Sequence, residues 1–137
     1  MKDMHKNIKV LTAIYPRAVG TTGAANGVTS PVIDRQGFET VEFVYQAGGS
    51  ASAADTVTPV VLECATTGGT FTSVADADLI GDETAVTRTT AAGVQKSIGY
   101  RGNKRYLKTK MYGIGGATGL VAASVILGRP NVAPIAT

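Results

Sequence analysis

Glycine, alanine and threonine supply 54 of the 137 residues, and this excess of small and β-branched side chains limits most severely what the chain can fold into. Glycine weakens a helix interior by about 1 kcal/mol relative to alanine, and threonine loses rotamer freedom there, so long helices are disfavoured. Threonine and valine fit a pleated, half-buried surface, and the glycines furnish turns. The expected fold is therefore all-β, and an apolar share of 44% in a chain of this length suits one compact core.

Period-two alternation places the strands. Ile8 to Ile14 reads as the first, ending at Tyr15-Pro16, with Ile8, Val10, Thr12 and Ile14 on one face. Phe38 to Tyr45 is the clearest, with Val41, Phe43 and Tyr45 on one side and Glu42 on the other. In Thr58 to Cys64, Val60, Leu62 and Cys64 alternate with Val61 and Glu63, and Pro59 belongs at a strand start or on an edge. Gly68-Gly69 then turns the chain into Thr70 to Val74. Asp76 to Ile80 suits a single helical turn capped by Ser73 or Asp76. Thr84 to Thr90, Gln95 to Arg101, Arg105 to Tyr112 and Leu120 to Leu127 follow. About eight short strands give a single β-sandwich or jelly-roll domain over residues 8–128, with an N-terminal arm at 1–7 and an extended C-terminal tail at 129–137. Val19 to Ser30 and Gly48 to Asp55 read as glycine-rich loops. Met111 to Gly128 is uncharged between Lys110 and Arg129, but its five glycines point to a β-hairpin with a glycine-rich loop rather than a membrane helix. The first seven residues lack the apolar core of a secretory leader, so synthesis in the cytosol is expected.

Few side chains here could carry chemistry. One His and one Cys cannot assemble a zinc site or an internal disulfide, and His5 lies in the arm, where nothing fixes its tautomer. Asp76, Asp78, Asp82 and Glu83 form an acidic loop, but as an EF-hand starting at Asp76 the pattern fails at Ile80 and Thr87, leaving only a weaker surface cation site open. Gly113-Ile-Gly115-Gly-Ala-Thr118 has Thr where a dinucleotide fingerprint needs its third glycine. The chain reads as a non-enzyme without metal or cofactor.

Charge is segregated along the sequence. All ten acidic residues lie at or before Glu83 with five basic ones, whereas eight basic residues and no acid follow. Such polarity suits head-to-tail contacts between copies or an acidic partner surface. Lys96, Arg101, Lys104, Arg105, Lys108 and Lys110 fall within fifteen residues, interleaved with Tyr100, Tyr106 and Tyr112. On a strand, Tyr106, Lys108, Lys110 and Tyr112 share one face, with Leu107, Thr109 and Met111 on the other. That face reads as a solvated surface, a contact for an acidic protein, or a platform for single-stranded nucleic acid. No nucleic-acid motif accompanies it, so nucleic acid is the least favoured of the three.

Several stretches carry a resemblance: Asp34-Arg-Gln-Gly-Phe38, Leu62-Glu-Cys-Ala-Thr-Thr-Gly-Gly-Thr-Phe71, Asp78-Leu-Ile-Gly81, Ile98 to Lys108, and Val125-Ile-Leu-Gly-Arg-Pro130. From about Val32 to Pro134 the chain resembles a family of small all-β structural proteins encoded among the head genes of tailed bacteriophages. The resemblance implies a virion location, the major capsid protein or other virion proteins as partners, and a capsid decoration or cement role in a homo-oligomer. A neck or tail component and a carbohydrate-binding, adhesin-like sandwich are the alternatives. The last would need exposed aromatics, but Trp is absent and Phe38, Phe43 and Phe71 suit the core. Arg129 and Pro130 join the basic segment as candidate partner contacts, alongside the two terminal segments.

Overall fold

The structure, a computed structural model, describes residues 3–19, 27–49, 55–87, 93–114 and 119–132. In chain order the strands are β1 (Ile8–Ala18), β2 (Val28–Thr29), β3 (Ile33–Asp34), β4 (Phe38–Ala47), β5 (Thr56–Cys64), β6 (Thr72–Ser73), β7 (Leu79–Ile80), β8 (Val86–Thr87), β9 (Val94–Tyr100), β10 (Tyr106–Ile114) and β11 (Leu120–Pro130). They form two antiparallel sheets. The first has the order β1-β11-β4-β9-β7 and the second β2-β10-β5-β6, with β3 also on β10 and β8 also on β5. Because β2 and β3 flank β10 in tandem, and β6 and β8 flank β5, the second sheet is four strands wide. The chain passes back and forth between the sheets, and the resulting strand order is that of a jelly roll.

Alternation fills the space between the sheets. Phe43, Ile98, Val125 and Leu127 of the first sheet share one core with Val57, Val61, Leu107 and Met111 of the second, all essentially fully buried. In β4 the expected phase holds, with Val41, Phe43 and Tyr45 all inward. In β1 it does not. Leu11 opposite Val125 turns inward, and Val10 is 59% exposed. A bulge between Thr12 and Ile14 buries Ala13 and Ile14 together, so Ile14 leaves the face of Ile8, Val10 and Thr12. The strand also continues past Pro16, which an edge position tolerates.

Three further expectations are corrected. β10 and β11 lie in different sheets, so the stretch from Met111 to Gly128 crosses the sandwich instead of forming a hairpin. Among the described residues no helix is long and apolar enough to cross a membrane. The turn at Asp76–Asp78 is 3-10, preceded by Ala75, and neither Ser73 nor Asp76 caps it. The strand expected up to Leu127 reaches Pro130 opposite Phe38, so Arg129 and Pro130 belong to the sandwich and not to a tail. Residues 20–26, 50–54, 88–92, 115–118 and 133–137, which include much of both glycine-rich loops, the end of the Thr84 to Thr90 strand and the last of the tail, lie outside the described residues.

A buried polar link ties the sheets across the core. Tyr45 Oη of β4 lies 2.7 Å from Thr109 Oγ1 of β10. The Thr109 hydroxyl donates to the Val60 carbonyl at 3.0 Å, so Tyr45 is the donor between them. Thr109 N donates to Ser30 Oγ, and Ser30 N to the Thr109 carbonyl, so Ser30 stands in for a strand residue in the gap between β2 and β3. Burial raises the Tyr45 phenol well above its ordinary pKa. Thr109→Val leaves the Tyr45 hydroxyl buried without an acceptor and is expected to destabilise by about 2 kcal/mol in urea unfolding. Adding Tyr45→Phe removes the stranded donor, so the double variant should lose less than the sum of the two single losses.

Candidate contact surface

β10 presents the expected face. Tyr106, Lys108, Lys110 and Tyr112 point outward and are half-buried, while Leu107, Thr109 and Met111 are buried. Their cross-strand neighbours on β5 are Cys64, Leu62, Val60 and Thr58. Lys108 Nζ stands 4.4 Å above the Phe71 ring, which places Phe71 under the outer face and not in the core. The Lys110 stem lies over Gly27, where a Cβ would come within 2.6 Å of it. Among the described residues neither lysine has an ion partner.

The other basic residues are dispersed. Lys96 lies on β9 in the other sheet, bonded to Asp82 at 2.6 Å and to Thr84. Arg101 donates to the Ala77 carbonyl at 2.7 Å. Lys104 sits in the β9–β10 connection, its backbone N–H donating to Tyr100 Oη. Arg105 grips Asp34 through two nitrogens, at 2.8 and 2.7 Å, and its guanidinium lies over the Tyr106 ring. Arg129, at the far end of β11, has φ +51° and reaches Glu39 at 3.2 Å. The ten predicted residues thus form no single patch, and only the four on β10 share one face. Tyr100 is not a surface aromatic, since it is buried and donates across the core to Glu63 at 2.6 Å. Burial, then that hydrogen bond, raises its pKa well above the ordinary value.

Two carboxylates of the acidic loop, Asp82 and Glu83, are committed to internal contacts. Asp82 accepts from Lys96 and from Thr84, which together hold its carboxyl far below the usual range. Glu83 accepts from the Val61 N–H on β5, in the gap between β6 and β8, and burial pushes its pKa up. No group of three His, Cys, Asp or Glu among the described residues could hold a metal ion. His5 is exposed in the turn ahead of β1. Between the sheets, beside Tyr45, Val57, Lys96 and Met111, a space of about 10 Å³ holds at most a water.

Sequence reading missed Arg35. Its side chain donates to the carbonyls of Lys104, Glu39 and Gly102, and its guanidinium covers the Tyr100 ring at 5.3 Å, stitching the β9–β10 connection to the turn before β4. No spacing rule marks such a residue, because its partners are backbone carbonyls and two of the three lie 69 and 67 positions away.

The chain matches no protein-family model and no curated protein sequence.

Two outcomes follow from this geometry. Arg35→Ala should speed amide exchange across residues 101–105 by at least about ten-fold while leaving the β4 and β11 amides protected. The hydrogen bond from Arg105 lowers the Asp34 pKa, so the bridge stabilises the fold above about pH 4 and is lost as pH falls further. Asp34→Asn should therefore be less stable than the parent by up to about 1 kcal/mol at pH 7, and the gap should narrow as pH falls below about 4 in denaturant titrations.

Proposed function

We propose that this protein is a non-enzymatic structural component of a tailed-phage virion, a capsid decoration or cement protein that binds and stabilises the major capsid lattice. The observation that carries the reading is the pair of unlike outer faces on one jelly roll. One presents Lys108 and Lys110 between tyrosines, with no ion partner among the described residues. The other presents Ile8, Val10, Ile80 and Ile126 across the first sheet. A subunit that bridges neighbours needs two contact surfaces, whereas a ligand-binding domain needs a deep enclosed cleft. The resemblance to phage head-gene products supports the same reading.

Particles made without the protein should disrupt at lower temperature, and adding it back should restore them. Mass spectrometry of purified particles should count copies in proportion to capsid subunits, and a count matching one ring would assign it to the neck or tail instead. Lys108→Glu combined with Lys110→Glu should cut incorporation at least about ten-fold with Tm changed by only a few degrees, because both side chains point outward.

A further inference from the structure

The outer face of the first sheet carries a cross-strand row whose register is continuous over all five strands: Val10, Ile126, Glu42, Gly99 and Ile80. Ile80 is 61% exposed. Gly99 lets its neighbours approach closely, since a Cβ there would come within 2.9 Å of Glu42 Oε2 and 3.1 Å of Ile80 Cβ. With no side chain at Gly99 or Gly128, a groove of about 500 Å³ runs between Ile8, Ile80 and Ile126. Arg101 stands at its rim, anchored on the Ala77 carbonyl. Glu39 is paired with Arg129, but Glu42 has no ion partner among the described residues. The groove is thus a largely apolar floor that carries the Glu42 carboxylate, with the Arg101 guanidinium, which also lacks an ion partner among the described residues, at its rim.

The outer face of the second sheet is its inverse. Lys108 and Lys110 are the unpaired charges there, set among Tyr106, Tyr112, Leu62 and Val60. We propose that these two faces are the halves of one contact between copies of this chain, the Glu42 groove of one protomer receiving the β10 lysine face of the next. Packing groove on groove would oppose two carboxylates, and lysine face on lysine face would oppose four ammonium groups. The head-to-tail arrangement sets Glu42 against the two lysines and buries Ile80 and Ile126 at the same time. Such a contact is heterologous, so it propagates beyond a dimer into rings or stacks. Four strands by eight residues give a face of about 500 Å² per partner, which is at the small end of specific interfaces. Association of the isolated protein is accordingly weak, and many contacts in parallel would hold an assembly.

Sedimentation of the purified chain over about 10 µM to 1 mM tests this without any capsid, so its failure is separate from failure of the virion role. The parent should exceed dimer mass as concentration rises, and about 0.5 M salt should reverse much of that gain. Glu42→Lys alone, and Lys108→Glu with Lys110→Glu alone, should each associate at least ten-fold more weakly. Mixing these two variants should restore association, because every contact then pairs opposite charges again. Circular dichroism melts check that each variant is folded. A parent that stays monomeric at all concentrations in low salt, a mixture no more associated than its components, or Glu42→Lys associating best with the parent would each overturn the proposal.

Discussion

Neither sheet can close before the last third of the chain arrives. β10 is the strand against which β2, β3 and β5 all lie, β11 joins β1 to β4, and β9 joins β4 to β7. Pairing of this kind links residues a hundred positions apart, as in Ile8 opposite Gly128. Loop closure must come before such contacts repay it, so a fold built this way forms slowly and with little stable substructure of its own. The hydrogen-bonded chain Tyr45, Thr109 and Val60 belongs to the same constraint, because it joins β4, β10 and β5 and exists only when both sheets are in place.

The same topology accounts for the charge segregation. Asp34 with Arg105, Asp82 with Lys96 and Glu39 with Arg129 each join an acid from the first 83 residues to a base from the remainder. Strands of the late segment lie beside strands of the early one, so opposite signs along the chain become neighbours in space. Exposed pairs of this sort contribute about 1 kcal/mol or less each, and their larger effect is to penalise wrong pairings of the strands. Among the described residues three of the late bases are consumed inside the molecule in this way, while Lys108 and Lys110 on one outer face and Glu42 on the other are left without an ion partner.

The all-β class, the clearest strand and the inward and outward phases of β4 and β10 were legible because period-two alternation reports burial directly. Ile14 was misplaced because a bulge inverts that period, and nothing in Thr12-Ala13-Ile14 announces one. Lys96 was grouped with Lys108 because they are close in sequence, although they lie in different sheets. Tyr100 is interleaved with the basic residues in the sequence, yet Glu63 satisfies its hydroxyl and allows it to be buried. Of the candidate site, the β10 stripe was readable from one strand alone. The Glu42 groove was not, since its row needs the register of five strands.

The gap at Ser30 and Pro31 divides one border of the second sheet into two short pieces, β2 and β3, and the opposite border is likewise divided between β6 and β8. The long border of the first sheet is interrupted by the Ala13 bulge and Pro16. Along these three borders the described residues offer no long, straight row of backbone groups onto which a foreign strand could zip. A protein crowded at high local density against identical copies can then meet them through its faces, while the route to fibrous cross-β aggregation is obstructed along these margins.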